Sequence, residues 1–268
     1  MYTKAQVDDT YAEAFRSLCA EFLITARDRT WLDHAVTAAT GNGSSTILCD
    51  CEAGMDRYVG PGSDDAFATP DGRPGAIVQL HVPRFRKDRV AALERALLVR
   101  ISQNVLTCPT AACFNLLDTD PYYKLGRKVA YFGDGHQFRD ERWGRRVWVV
   151  PILGGEFTID RRFGYTDGLM GGNLWFMGED EDAALLAAER AKNAVEEVPG
   201  VNMPFPGGIT SSGSKAGSRY SFTIASTYEK FCPTLREKLG EGSSLPPDVR
   251  SVMEIIINGR DLPTLVKA

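Results

Sequence analysis

The sequence predicts an α+β protein of two tandem ferredoxin-like lobes, residues 1–150 and 151–268, the second short of its last helix and strand. Three observations carry that expectation. Strand-like and helix-like stretches alternate as β-α-β-β-α-β through the first lobe. Pro151 then punctuates the chain, and strands begin again at Glu156. A strong helix at 180–198 and a strand at 251–258 restart the arrangement in a chain long enough for two lobes of ordinary size.

The first element is expected to be a short entry helix within residues 7–19, around Tyr11 to Leu18. Phe22-Leu23-Ile24-Thr25 is rich in apolar and β-branched residues and reads as a buried strand. From Trp31 to Ala39 the apolar spacing is helical, and Gly41-Asn42-Gly43 stops it. Ser45 to Cys51 reads as the second strand, parallel to the first. The turn Thr69-Pro70-Asp71-Gly72-Arg73-Pro74-Gly75 is rigid; it is either a connector or a mount aiming Asp71 and Arg73 into a cleft. Ala76 to Val82 is a strand. Lys87 to Gln103 is a helix with Val90, Leu93, Leu97 and Ile101 on one face. Val105-Leu106-Thr107 is expected to return as a strand before Cys108-Pro109. Arg127 to Phe132 and Arg146 to Val150 are expected to form a hairpin across Gly133-Asp134-Gly135.

In the second lobe, Glu156 to Ile159 and Asn173 to Met177 read as strands, and Asp180 to Val198 as a helix with Gly200 beyond its end. Val201-Asn202-Met203 leads into Pro204-Phe205-Pro206-Gly207-Gly208. The polar loop Ser212-Gly213-Ser214-Lys215-Ala216-Gly217-Ser218 follows. Glycine lets such loops approach a ligand closely and turn amides toward it. Ser251 to Asn258 is a strand, Gly259 ends it, and Asp261 caps a helix starting at Leu262-Pro263. The chain reaches Ala268 before a closing strand. Either the lobe is built differently, the product is shortened, or another chain completes it.

Net charge is −4 and the pI is about 5.5, which gives no electrostatic footing for nucleic acid. No apolar run reaches the ~20 residues of a membrane span, and Met1-Tyr2-Thr3-Lys4 lacks the apolar core of a signal peptide. Six cysteines scattered along 268 residues fit reduced thiols in a cytoplasm. Cys49-x-Cys51 has no second pair at zinc spacing, so no metal is expected.

Glu254 is the most informative single residue. Strand alternation sets it with Val252 and Ile256 on one face, and Met253, Ile255 and Ile257 on the other. Buried among aliphatic neighbours, a carboxyl is driven toward its protonated form and can serve as a proton donor or relay. On an edge strand it merely faces water. Both readings stand on the residues alone. His34, His81 and His136 read as ordinary surface or core histidines. No G-x-S-x-G elbow, P-loop or dinucleotide fingerprint is present.

Collinear stretches from residue 9 to 259 add a resemblance. They include Asp9 to Phe15, Cys51 to Gly54, Thr69 to Gly75, Tyr131 to Gly135, Gly155 to Phe157 and Gly171-Gly172-Asn173. Pro204 to Gly208, Ser212 to Ser218, Ala225-Ser226-Thr227, Cys232-Pro233-Thr234 and Glu254 to Gly259 continue the set. On them the chain resembles the formylmethanofuran–tetrahydromethanopterin formyltransferase family. The resemblance implies two joined ferredoxin-like lobes and a homo-oligomer, alone or within a formyltransferase/hydrolase complex. It implies formyl transfer from formylmethanofuran to N5 of tetrahydromethanopterin, with the two carriers as substrates and no bound cofactor. It puts the key acid at Glu254 and substrate contacts at Phe205, Gly207, Gly208, Ser212, Ser214, Lys215, Arg73, Ser226, Thr227 and Asp134. Tyr228-Glu229 replaces the family's Asn-Asp, and His136 a tyrosine. Those departures and the short second lobe support an alternative, a non-catalytic carrier-binding or assembly subunit.

Overall fold

A computed structural model describes residues 6–8 and 10–268. Met1 to Lys4, and Asp9 of the first resemblance stretch, lie outside them. The chain is α+β. The first half runs β1 (Phe15–Thr25), α1 (Arg29–Thr40), β2 (Glu52–Val59), β3 (Gly75–Pro83), α2 (Arg89–Arg100) and β4 (Ala112–Asn115). Its strands lie in the order β4-β1-β3-β2, each antiparallel to its neighbours. On β1, Leu18, Ala20, Phe22 and Ile24 alternate onto the face covered by α1 and α2, where they meet Leu32, Ala35, Leu93 and Leu97. Burying one such large side chain contributes about 1.5–3 kcal/mol, so this face anchors the half.

Four expectations fail here for identifiable reasons. Tyr11 to Leu18 is not a helix: β1 begins at Phe15, because its alternating residues are needed on the core face. Ser45 to Cys51 forms turns rather than a strand, with Leu48 exposed. The buried Arg100 donates to the carbonyls of Ala39 and Gly41 and pairs with Asp50, tying this segment to the end of α1. β2 therefore starts later, and it shares β1's direction with the antiparallel β3 between them. Val105 to Thr107 is not a strand either. A π-helical turn over Ile101–Val105 extends α2 and buries Ile101 and Val105. Lastly, 127–132 is not a hairpin arm but falls in α3 (Leu125–Ala130) and a 3-10 turn, with Asp134 left-handed at φ 49°.

The hairpin is β6 (Phe138–Arg142) and β7 (Arg145–Ile152), turning at Trp143 and Gly144. Both turn residues have positive φ, 53° and 70°, as a tight hairpin turn requires. β5 (Tyr122–Tyr123) pairs with β9 (Phe163–Gly164), and β8 (Gly155–Asp160) joins β7 to the parallel neighbour β4. The long β10 (Thr166–Gly178) then links the two halves. Its first residues pair with β1, and its remainder pairs with β14 (Ser251–Gly259). α4 (Glu181–Glu196), capped by Asp180, packs Ala184, Ala188 and Val195 beneath that pair. β11 (Val201–Asn202) adds to the end of β14. β12 (Lys215–Ala216) and β13 (Ala225–Ser226) form a separate ladder, α5 (Arg236–Leu239) is one turn, and α6 (Leu262–Lys267) is capped by Asp261.

The other face of the β1–β3 sheet is also buried, apolar at one end through Leu23, Ile77 and Phe114 and polar at the other through Glu21, Gln79 and His81. Gly200 N donates to Asp56 Oδ2 (3.0 Å), Asn202 Nδ2 to Gln79 Oε1 (2.9 Å) and Asn258 Nδ2 to Glu52 Oε2 (3.0 Å). Burial pushes the Glu52 and Asp56 carboxyls upward and the enclosed His81 imidazole down to about 3.

Candidate functional site

Glu254 sits in the middle of β14, and the expected alternation holds. Met253, Ile255 and Ile257 enter the α4 core, leaving Glu254 on the opposite face, 6 % exposed. Directly across the ladder is Trp175, and Asn173 lies diagonally beside it on the same face. Trp175 Nε1 and Asn173 Nδ2 both donate to Glu254 Oε1, each at 2.9 Å. From the other side, Thr210 bridges the Glu254 backbone through two bonds of 2.8 Å, Thr210 N to Glu254 O and Glu254 N to Thr210 O.

Residues 211–235 fold over this carboxyl and enclose a cavity of about 200 Å³. Glu254 and Trp175 line it from the sheet, and Ser212, Thr227, Tyr228 and Cys232 line it from the loops. Three rings pack edge to face at its wall. Trp175 lies 4.6 Å from Phe231 and 5.5 Å from Tyr228, with interplanar angles of 87° and 84°. Thr227 Oγ1 donates to Ser212 O (3.0 Å) and Ser226 Oγ to Gly217 O (2.9 Å), so the loops hold one another. Lys215 Nζ donates to Glu229 at 2.6 Å, and the ammonium holds that carboxyl below the usual carboxylate range.

The glycine loop serves a neighbouring groove of about 630 Å³, formed with Glu189, Lys192 and Asn193 of α4. Thr210 and Ser211 line both spaces and form the rim between them. Gly207 and Gly208 have φ of 64° and 81°, and a Cβ on Gly208 would press on the Lys192 side chain at 3.3 Å. The Gly208 amide is spent within the loop, donating to Phe205 O at 2.8 Å.

The expected site residues therefore divide. Glu254, Ser212 and Thr227 meet in the cavity, and Gly207 lines the groove beside it. Phe205, Gly208, Ser214, Lys215 and Ser226 belong to the loops that frame these spaces without lining either. Two others lie elsewhere in the fold. Arg73 is clamped at the far end of β1 from β10, on Asp71 (2.7 Å), Thr25 Oγ1 (3.0 Å) and Thr110 O (2.5 Å). Asp134 is exposed after α3. Asn173, Trp175, Tyr228 and Phe231 were not anticipated. Asn173 and Trp175 alternate along one strand, but only its register with β14 brings them to Glu254.

Comparison with known proteins gives one result. The family model for formylmethanofuran-tetrahydromethanopterin formyltransferase matches residues 1–152, and that for its proximal lobe matches residues 155–268. The formyltransferase of Methanocaldococcus jannaschii is 44% identical over 267 residues, 98% of this chain and 85% of that one. That of Methanosarcina mazei is 44% identical over 96% of this chain and 83% of its own length. Among solved structures, the Methanosarcina barkeri formyltransferase superposes with a TM-score of 0.88 at 42% identity, covering 96% of this chain and 84% of that one. The formyltransferase/hydrolase complex of Methylorubrum extorquens, solved with methylofuran, contains a chain matching with a TM-score of 0.87. The identity there is 37%, over 97% of this chain and 83% of the other.

Proposed function

The chain belongs to the formylmethanofuran–tetrahydromethanopterin formyltransferase family, and from that premise we propose that Glu254 carries the proton traffic of its reaction. The protein is an enzyme of one-carbon metabolism that transfers a formyl group between formylmethanofuran and tetrahydromethanopterin, its two carrier substrates.

The chemistry states what the site must do. N5 of the pterin carrier attacks the formyl carbon, giving a tetrahedral intermediate with an oxyanion and a protonated N5. The leaving amine nitrogen of methanofuran needs a proton before the C–N bond breaks. Glu254 as an acid gives that proton and regains one from N5, so the carboxyl ends as it began. The observation that carries this reading is a carboxyl 6 % exposed that nonetheless lines a cavity. The Ser212 and Thr227 residues of the same cavity supply hydroxyls for the substrate or the oxyanion. The groove beside Gly207 gives the body of one carrier a place against α4. Lys215, at the edge of these loops, pairs a carrier carboxylate in exchange for Glu229.

Replacing Glu254 by Gln keeps shape and removes the transferable proton. Formyl transfer between the two carriers should fall by ~100-fold or more. Full activity in Glu254→Gln would overturn the relay.

We further read the architecture as two ferredoxin-like lobes, 1–150 and 151–268, a reading supported by the β4-β1-β3-β2 order of the first half. We also read the chain as a homo-oligomer, alone or within a formyltransferase/hydrolase complex; the complex that the Methylorubrum relative forms supports the second setting. The free thiols of Cys19, Cys49, Cys51, Cys108, Cys113 and Cys232 support work in a reducing cytoplasm. No helix among the described residues is long and apolar enough to cross a membrane.

A further inference from the structure

Two N–H groups converge on a single oxygen of Glu254. Asn173 Nδ2 and Trp175 Nε1 both reach Oε1 at 2.9 Å, while Oε2 makes no hydrogen bond among the described residues. A carboxyl oxygen offers two lone-pair directions in its plane, and two donors occupy both on Oε1. A proton added to Oε1 would confront one of those donors. The proton of the neutral acid therefore resides on Oε2.

We infer that Asn173 and Trp175 are positioning residues that assign the mobile proton of Glu254 to Oε2. The inference rests on the reading of Glu254 as the relay. It adds which oxygen carries the proton and what holds it there. Both donors sit on rigid elements: Trp175 opposite Glu254 and Asn173 two residues along β10. The indole is held by Phe231 and Tyr228 packed edge to face against it. The Thr210 bridge fixes the Glu254 backbone. Main chain and one carboxyl oxygen are thus both fixed, and the carboxyl has no free rotation to exchange its oxygens.

This arrangement suits a group that must lose and regain a proton in one turnover. Oε1 accepts the same two N–H bonds whether the carboxyl is neutral or ionised, so neither donor must move. At Oε2 the O–H bond breaks as the leaving nitrogen gains its N–H bond. The Oε2 O–H bond then reforms as N5 gives up its proton. Both transfers use one oxygen, in one direction from the sheet.

The test is steady-state formyl transfer between the two carriers, with melting temperatures measured alongside. Trp175→Phe keeps an aromatic ring and deletes the N–H; Asn173→Ala deletes the amide, and Asn173→Ser restores a short donor. Each deletion should lower kcat by about 10-fold or more, because both N–H bonds to Oε1 strengthen as Oε2 gives up its proton and negative charge develops on the carboxylate. KM should stay within about twofold, because Asn173 lines neither space and Trp175→Phe keeps a ring against the cavity while losing only the N–H. Asn173→Ser should recover part of the loss. In a Glu254→Gln background the same changes should cost less than about twofold further, because they act through that carboxyl. Wild-type kcat in Trp175→Phe, an effect confined to KM, or losses that multiply in the double variants would each overturn the positioning role. Full activity of Glu254→Gln alone would be a different failure, that of the relay. Should Asn173→Ala melt too early to assay, Trp175→Phe and Asn173→Ser decide the matter.

Discussion

Asn258 ties the strand that carries Glu254 to the first half of the molecule, and removing it should be felt throughout. Its amide is fully buried. Nδ2 donates to Glu52 Oε2 at 3.0 Å, and Oδ1 accepts from Gly171 N at 3.0 Å, where the β10–β14 register shifts. Asn258→Ala leaves one backbone donor and one carboxyl oxygen buried without these partners. Each costs about 1–3 kcal/mol, so the pair amounts to roughly 2–6 kcal/mol. For a chain of this size that is a fall in Tm of roughly 4–11 °C. The effect has a pH signature. Burial raises the Glu52 carboxyl, and the Asn258 donor opposes that rise by favouring the ionised form. Glu52 therefore contributes most at low pH and loses its contribution as pH rises above its unfolded value near 4.5. Without Asn258 that loss is larger, so the gap between wild type and Asn258→Ala should widen from pH 5 to pH 8. Thermal melts followed by circular dichroism at both pH values read this directly. A Tm shift under about 2 °C, or a gap that narrows as pH rises, would refute the account of this contact.

Two further outcomes follow from buried and paired groups. Burial holds the His81 imidazole down at about 3, against 6.5 when free, so its contribution is present above pH 6.5 and is lost as pH falls through that window. At pH 5 that loss is about 2 kcal/mol, measurable as the difference between wild type and His81→Gln in urea titrations at pH 7.5 and 5. Glu21, Glu52 and Asp56 titrate in the opposite sense and drop out of the subtraction, so parallel stability curves would sink the claim. The Lys215–Glu229 pair is about one-third exposed, so Lys215→Met should change stability by less than about 1 kcal/mol. As a carrier contact it should raise KM about fivefold with kcat nearly unchanged, and an unchanged KM would remove it from the site.

What could be read from the residues was what periodicity and caps encode. Six residues, Val252 to Ile257, were enough to divide β14 into an apolar face and a Glu254 face, and the α4 core confirms the division. The Asp261 cap marks a real helix start, and the helix expected from Asp180 begins one residue later with Asp180 as its cap. Short apolar runs were the weak point. Ile47-Leu48 sits in a turn because Arg100, about fifty residues later, holds the carbonyls and carboxylate around it. Residues 127–132 have no periodicity long enough to distinguish strand from helix. Within the site, the carboxyl was legible and its neighbours were not. Asn173 and Trp175 reach Glu254 only through register across some eighty residues, which no local pattern encodes. Lys215 offered a free cation in the sequence, but its partner is Glu229, supplied by a separate part of the loop system.

The polar seam between the halves explains how a carboxyl in the second half is kept in place. Gly200 and Asn202, just before the glycine loop, bond to Asp56 and Gln79; Asn258, four residues after Glu254, bonds to Glu52. The glycine loop and the Glu254 strand are thus each moored to the same buried polar face of β2 and β3. An apolar seam would hold them together but tolerate sliding, because hydrophobic burial has no direction. Directed bonds do not. A one-residue slip of β14 would strand the Asn258 amide away from Glu52 and turn Glu254 into the α4 core. The register that exposes Glu254 to its cavity is therefore the one that satisfies Asn258.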